Sequence, residues 1–208
     1  MRGGMRSIVV GLWAMMAGLG NAWADEAAST QPATDSGKEA AMAAMQQLGS
    51  PGEAHKALKP LAGRWIYAAQ WWTSPEAAPQ SMTGTATNTL IFGGRFLRQE
   101  IRGEAEEGRP PFKGLGFVGY DNMRKEYQSV WFDNMITGMM WGTGQFDATT
   151  RTMTDQGDFS CPITGETHRH FRTTWRVIDQ NHNKYENYMS TPDGREFKSM
   201  EIRYTRAQ

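Results

Sequence analysis

The stretch HRHFRTTWRV, residues 168–177, decides the fold class because its side chains alternate in character along the chain. One face of an extended chain would carry Phe171, Thr173, Trp175 and Val177, and the other His168, His170, Arg172, Thr174 and Arg176. Successive side chains of a β-strand point to opposite faces, so this period of two predicts a strand with one buried face. The same alternation on the last strand sets Ser199, Glu201 and Arg203 against Met200, Ile202 and Tyr204.

Segments of the same kind recur along the chain, separated by turn-forming residues such as Gly93-Gly94 and Pro192-Asp193-Gly194. They predict strands near 64–73, 82–92, 95–103, 112–121, 125–133, 138–147, 151–159, 167–178, 184–190 and 196–206. No helical pattern separates them, so we expect antiparallel hairpins in an all-β domain over residues 61–208. Such a meander protects its edges by closing into a barrel of about eight to ten strands. A β-sandwich is the competing arrangement, and the hairpin turns favour the barrel.

The N-terminus has the pattern of an export signal over residues 1–24. Arg2 and Arg6 precede a short apolar run, and Ala22-Trp23-Ala24 supplies the small residues of a signal-peptidase site. We expect cleavage after Ala24 and a periplasmic or secreted protein. No later stretch approaches the roughly 18 apolar residues of a membrane helix, so no stable membrane insertion is expected.

Two further segments precede the strands. Residues 25–35 are small and polar and predict a disordered linker. Ser36-Gly37-Lys38-Glu39 matches a capping box, which predicts a helix that runs to Leu48 and stops at Gly49. A second helical turn is expected over 53–58. Together these form an N-terminal helical segment, residues 36–60, which we expect near the mouth of the barrel.

Charge and cysteine content exclude several classes of function. The chain has 22 basic and 22 acidic residues, and loss of residues 1–24 removes Arg2 and Arg6 and no acid, leaving a net charge of −2. A near-neutral chain without basic runs has no electrostatic footprint for nucleic acid, so no nucleic-acid partner is expected. Cys161 is the single cysteine, so no internal disulfide forms and stability must come from packing.

Gly63-Arg64-Trp65 on the first strand, with Arg203 and Arg206 on the last, resembles the signature of lipocalin-type (calycin) barrels. The resemblance implies a calycin-like barrel in which the tryptophan closes the floor and an arginine of the last strand packs across its ring. Arg203 and Arg206 are equal candidates for that arginine.

Four longer stretches narrow the resemblance. They are HKALKPLAGRW (55–65), GTATNTLIFGGRFLRQEIRG (84–103), FKGLGFVGYDNMRKEYQSVWFDNM (112–135) and DGREFKSMEIRYTR (193–206). They resemble an uncharacterised bacterial family, the domain of unknown function 1579, over about residues 55–206. That family has no settled activity, so the resemblance implies no catalytic residues.

Two motifs suggest a cofactor. Gly114-Leu115-Gly116-Phe117-Val118-Gly119 matches the dinucleotide fingerprint, but a turn and another strand follow it where a helix N-terminus would be needed. His168 and His170 lie two apart on one strand face, a spacing that suits a metal or haem site. The flanking Arg169 and Arg172 would repel a cation, so we expect an ordinary polar face and no cofactor.

The segment between Val130 and Trp141 is the most unusual of the chain because aromatic residues and methionines crowd one hairpin. Unbranched methionine adapts to irregular shapes and suits the mouth of an apolar pocket. The candidate ligand-binding residues are Trp131, Met135, Met139, Met140 and Trp141. Cu(I) binding by the thioethers and simple core filling are the alternatives.

The sequence gives little support for a catalytic site. Glu100, Asp133 and Glu201 could supply a carboxylate pair, but nothing in the sequence places them together. Ser129 and Ser199 lack the elbow of a serine nucleophile, and Cys161 falls in an expected loop.

Binding of a small apolar or amphipathic molecule inside the barrel, without catalysis, is therefore the leading hypothesis. The alternatives are an enzyme whose lumen site uses inward residues such as Arg98 or Glu100, a haem- or metal-binding barrel, and a partner-binding module with a filled barrel. An outer-membrane barrel is disfavoured because Arg98 and Glu100 share a face with Phe96.

Overall fold

The computed structural model describes residues 35–208 except Glu106, Glu107, Arg109 and Pro192. The expected signal peptide, its cleavage site and nearly all of the expected linker therefore lie outside the described residues. The chain divides into two compact units, Met1–Ala40 and Ala41–Gln208, and all ten strands belong to the second. Among the described residues, no helix has the length and apolar character needed to span a membrane.

In the part of the chain that the structure describes, two α-helices precede the strands, α1 (Asp35–Leu48) and α2 (Glu53–Lys56), and a 3₁₀ turn follows at Lys59–Leu61. Helix α1 is described from Asp35 and ends at Leu48, where the sequence predicted its end, and the capping box stays a prediction. None of its residues is buried, which agrees with its thin apolar stripe. Asn122 binds the end of α1 by donating to the carbonyl groups of Leu48 (2.7 Å) and Ser50 (2.9 Å).

Ten antiparallel strands form one closed barrel in which each strand pairs with its neighbours in sequence and the last pairs with the first. The strands are β1 (Gly63–Trp71), β2 (Gln80–Ile91), β3 (Phe96–Gly103), β4 (Lys113–Asp121), β5 (Glu126–Asp133), β6 (Met140–Asp147), β7 (Thr152–Phe159), β8 (Arg169–Val177), β9 (His182–Ser190) and β10 (Glu196–Arg206). The predicted barrel is confirmed, and every predicted strand is present.

The predicted alternation is confirmed on β8, where Phe171, Thr173, Trp175 and Val177 are all buried. It fails at one position on β10. A bulge between Lys198 and Met200 interrupts the pairing with β9, so Ser199 is buried and donates to the Asn187 carbonyl (3.2 Å). The extra residue of a bulge leaves the period of two, which the sequence pattern cannot show.

Leu58 and Leu61 plug one end of the barrel, with 0% and 1% of their surfaces exposed. They pack in a cluster with Leu97, Tyr127, Met153, Trp175 and Val177. Burial of each leucine contributes roughly 2 kcal/mol. Helix α2 and the 3₁₀ turn therefore close the floor of the barrel, and the expectation that this part of the helical segment lies near the mouth is wrong.

The first and last strands are joined at the floor by Trp65 and Arg206. The guanidinium carbon of Arg206 lies 4.1 Å from the centre of the Trp65 ring, and its nitrogens donate to the carbonyls of Ala62 (3.1 Å) and Gln180 (2.7 Å). Gly63 has a φ of 133°, and a Cβ there would overlap the guanidinium. Arg206 is thus the closing arginine. Arg203 is exposed and pairs with Glu201 (2.6 Å).

Candidate functional site

A band of polar side chains crosses the barrel interior above the floor, and we call it the polar belt. Its members are Tyr67, Gln99, Ser129, Asp155, Thr173, Tyr185, Asn187 and Tyr204. Each stands at an inward position of its strand, because it pairs across the ladder with other inward residues, as Tyr67 does with Tyr204 and Thr173 with both Asp155 and Asn187. The belt therefore draws on seven strands that are distant in sequence.

Asp155 is the centre of one half of the belt. Its two carboxylate oxygens accept hydrogen bonds from the hydroxyl groups of Ser129 and Thr173. Thr173 also lies beside Tyr185, and its hydroxyl partly opposes the rise in the pKa of that tyrosine. A Cβ on Gly142 would come within 2.6 Å of the Asp155 carboxylate, so the glycine provides the space for this network.

Three tyrosines supply the hydroxyl groups of the other half. Burial, followed by the charge of Glu104, raises the pKa of Tyr67 to about 12. Burial also raises the pKa of Tyr204 and of Tyr185, the latter with a further contribution from the charge of Asp155. All three hydroxyls stay protonated at neutral pH and remain hydrogen-bond donors.

Two polar atoms of the belt are buried and have no hydrogen-bond partner among the residues that the structure describes. They are the Tyr67 hydroxyl and Oδ1 of Asn187, on residues that are 1% and 5% exposed. Asn88 and Asn183 at the floor also each have one unpaired atom, but their other amide atom is bonded, to Leu61 and to Trp175. Because a buried polar atom without a partner costs about 1–3 kcal/mol, the belt is incomplete without a water molecule or a ligand.

The opposite end of the barrel, its mouth, is lined by apolar side chains that stay partly accessible. These inward residues and their rim neighbour are Met82, Phe112, Trp131, Met140, Met189 and Met200. Flexible thioethers and aromatic faces of this kind adapt to apolar guests of different shape. The apolar side chains of the mouth and the polar belt thus share the inner face of the barrel.

Trp131 is held at the mouth by two glycines that leave room for its indole ring. A Cβ on Gly116 would lie 2.9 Å from the ring, and one on Gly114 would overlap it. The indole nitrogen donates to Asp133 (2.9 Å), and Phe112 stacks on the ring at 6.4 Å. Gly114 and Gly116 of the dinucleotide-like motif, both on β4, thus make room for the side chain of Trp131 on β5.

The five predicted ligand-binding residues do not lie together in the structure. Trp131 and Met140 lie at the mouth. Met135 and Met139 lie on the loop between β5 and β6, 74% and 54% exposed, and Trp141 faces outward from β6, 60% exposed. Met82, Met189 and Met200 also line the mouth but were not predicted, because they lie on three other strands. The only sequence signal for them is that each falls on the inward face of its alternating strand.

The outer wall carries a groove of about 630 Å³ over β4 to β7. Phe117, Val130 and Trp141 stand opposite one another along it. Two of its polar neighbours have partners, since Asp121 accepts from the backbone of Met123 and Arg124 pairs with Glu126. Among the described residues, six have an unpaired buried side-chain atom, and two of them, Tyr67 and Asn187, lie in the belt with Asp155, so we take the lumen as the candidate site.

The two candidate metal-binding histidines, His168 and His170, are exposed, and His170 pairs with Asp158 on the outer face of the barrel (3.2 Å). Over residues 35–208, apart from the four not described, no group of three or more histidine, cysteine or carboxylate side chains is arranged to hold a metal.

The polar residues suggested for a lumen enzyme do not face the lumen. Arg98 and Glu100 pair with each other (2.8 Å), and both side chains are about 40% exposed, so their inward placement was wrong. Glu201 belongs to a second outer cluster with Lys198 and Arg203. Of the three candidate acids, Asp133 alone stands at an inward position, where Trp131 donates to it.

Cys161 is buried at the rim, next to a pocket of about 370 Å³ between the loops that follow β5 and β7. Arg169 donates to its sulfur (3.3 Å). Burial raises the pKa of the thiol, but hydrogen bonds from Thr164 and Arg169 act against burial and bring the pKa below its usual value. Cys161 therefore forms a thiolate more readily than an ordinary buried cysteine.

A closed ten-stranded antiparallel meander with a plugged floor, an arginine on the floor tryptophan and apolar side chains at the opposite end defines a lipocalin-like barrel. The family described as "Protein of unknown function (DUF1579)" matches residues 50–206, and the chain belongs to this family. No curated protein matches the chain.

Two solved structures resemble the barrel. The crystal structure of Rv2717c from M. tuberculosis has a TM-score of 0.56 and 14% sequence identity, and the match covers 76% of this chain and 100% of that one. At this identity the likeness shows the fold alone. A redesigned β-barrel matches with the same identity and coverage but a TM-score of only 0.38.

Proposed function

We propose that the protein binds a small amphipathic molecule in the barrel lumen and does so without catalysis. The observation that carries the proposal is the pair of unpaired buried atoms in the polar belt, the Tyr67 hydroxyl and Oδ1 of Asn187. A hydroxyl that can donate and a carbonyl that can accept, both shielded from bulk water, are suited to the polar end of a guest.

The apolar part of the guest would lie against the mouth. Met82, Met200 and Trp131 remain partly exposed there, and covering this surface stabilises a complex by roughly 25 cal/mol for each Å² of apolar surface removed from water. The guest would enter between the rim loops with its polar end leading.

The molecule itself is best sought by native mass spectrometry of protein purified from its own host. We expect a reproducible adduct whose released component is an amphiphile. The proposal would be contradicted if the purified protein carried no bound molecule and also bound no amphiphile when amphiphiles were added to it.

A matched pair of hydroxyl deletions tests the role of Tyr67 and is our first prediction. Tyr67→Phe removes an unpaired hydroxyl, so we expect no loss of stability in the empty protein and weaker binding of the guest. Tyr127→Phe removes a hydroxyl that donates to the Ala54 carbonyl (2.6 Å) at the floor. It should cost about 1 kcal/mol of unfolding free energy and leave binding intact.

Denaturant titration and binding of the identified amphiphile measure the two effects. If Tyr67→Phe destabilised the empty protein as much as Tyr127→Phe, its hydroxyl would have a partner within the protein and would not be available for a ligand.

We also propose that the protein acts outside the cytoplasm, on the strength of the export pattern in residues 1–24. Cell fractionation and N-terminal sequencing of the mature chain test this. We expect Asp25 as the first residue, and an intact Met1 in a cytoplasmic fraction would contradict it.

A further inference from the structure

We propose that the polar end of the lumen ligand is a cation, an organic ammonium group that pairs with Asp155. The inference rests on the proposed lumen binding and specifies the class of guest. It follows from the charges that face the interior and from the rings that surround Asp155.

Among the strand residues that the structure describes, few inward positions are charged. They are Asp133, Asp155, Arg169 and Arg206. Asp133 lies at the mouth, and Arg206 is fixed at the floor by Trp65 and backbone carbonyls. Asp155 is therefore the charged member of the polar belt.

Within residues 35–208, apart from the four not described, no cation forms an ion pair with Asp155. Arg169 stands on the strand beside it, but four residues from Thr173, its cross-strand partner, which is about 13 Å along a strand. The guanidinium is occupied at the rim, where it donates to Cys161 (3.3 Å) and Ser190 (3.2 Å) and lies 3.7 Å from Glu166. The two hydroxyl groups that donate to Asp155 stabilise its charge but do not neutralise it.

An aromatic cluster begins beside this carboxylate with Tyr185. Tyr185 lies near enough for its pKa to be raised by the charge of Asp155. Trp175 contacts the rings of Tyr185 (6.2 Å) and Tyr204 (6.3 Å), and Tyr204 contacts Tyr67 (6.1 Å). A carboxylate without a cation partner, at the edge of an aromatic cluster, is a setting that attracts an organic ammonium and repels an anion.

The experiment compares three probes that share one alkyl chain: octyltrimethylammonium, octanol and octanoate. Binding to the intact protein is measured by calorimetry. We expect octyltrimethylammonium to bind at least about tenfold more tightly than octanol, and octanoate to bind more weakly than both. Asp155→Asn should abolish the preference for the ammonium. Asp158→Asn, an exposed position on the outer face of the same strand, should retain it.

The outcomes separate the two proposals. If octanol binds and the ammonium binds no better, lumen binding stands and the cation preference is overturned. If octanoate binds best, the cation preference is overturned as well. If none of the probes binds, the proposed function itself fails. If Asp155→Asn does not fold, the relative affinities of the three probes for the unmodified protein still test the cation preference.

Discussion

Arg206 and Arg203 show how position alone separates two identical residues three places apart. Arg206 points inward over Trp65 and donates to backbone carbonyls, while Arg203 lies on the outer face beside Glu201. A cation over an indole and hydrogen bonds to otherwise unpaired carbonyls stabilise the fold more than an exposed ion pair.

We therefore predict that Arg206→Leu lowers the unfolding free energy by about 2 kcal/mol, because it loses the cation–π contact and the hydrogen bonds together. Chemical denaturation monitored by tryptophan fluorescence measures the change. Arg203→Leu is the matched control and should change stability by less than about 0.5 kcal/mol. Equal losses in the two variants would show that Arg206 does not close the barrel.

The thiol of Cys161 offers another test on a single residue. Interactions with Thr164, from its side chain and its backbone, are the largest of those that lower the thiol pKa against the effect of burial, and the Thr164 hydroxyl is held in place by Glu166 (2.6 Å). We predict that Thr164→Val raises the pKa of Cys161, so that alkylation by iodoacetamide requires a higher pH. Thr137→Val, across the same pocket, is the control. An unchanged pH profile in Thr164→Val would exclude a role for this hydroxyl.

Helix α2 depends on a histidine that is neutral in the folded state. The Gly52 N–H donates to Nδ1 of His55 (3.0 Å), and the ring lies edge-on to Tyr120 at 5.8 Å. Burial lowers the pKa of His55 below 6.5, Arg95 lowers it further, and a hydrogen bond to the Tyr120 backbone partly opposes them. Protonation would also remove the acceptor that Gly52 uses.

The sign of the pH effect follows from this lowered pKa. The unfolded chain binds a proton at His55 more readily than the folded one, so the contribution of neutral His55 is complete above pH 6.5 and is lost as the pH falls toward the folded pKa. We predict that wild-type stability falls more steeply on acidification than that of His55→Gln. Denaturant curves at several pH values measure the slopes, with His170→Gln as an exposed control. Parallel slopes for wild type and His55→Gln would refute the prediction.

The elements that the sequence predicted best are those whose packing is local. The strand β8 was predicted from sequence because Phe171 and Trp175 alternate with arginines, and the hairpin turns determine which strands pair with it. The site was predicted only in part. Met140 and Trp131 were found through their unusual segment, whereas the belt around Asp155 joins single polar residues of seven strands that look ordinary in sequence. Their proximity depends on the register of the closed sheet, which no local pattern encodes.

At the scale of the whole molecule, one pairing differs from all others. Nine of the ten strand pairs join neighbours in sequence, but β1 and β10 meet across nearly the whole domain, with Trp65 opposite Arg206. The entropy cost of closing a loop grows with its length, so this pairing is the least favourable to form early in folding. We expect it to form after the transition state.

The same substitution at two positions of one core cluster tests which strand pairs form early in folding and which form late. Ile101 on β3 and Ile202 on β10 are both buried, 5% and 8% exposed, and belong to the same core cluster. Each isoleucine-to-valine change should cost about 1 kcal/mol. Ile101 lies between strands adjacent in sequence, so Ile101→Val should mainly slow folding, whereas Ile202→Val should mainly speed unfolding. Stopped-flow folding and unfolding rates across a denaturant series measure the two contributions. If Ile202→Val slowed folding as much as Ile101→Val, barrel closure would belong to the folding nucleus rather than follow it.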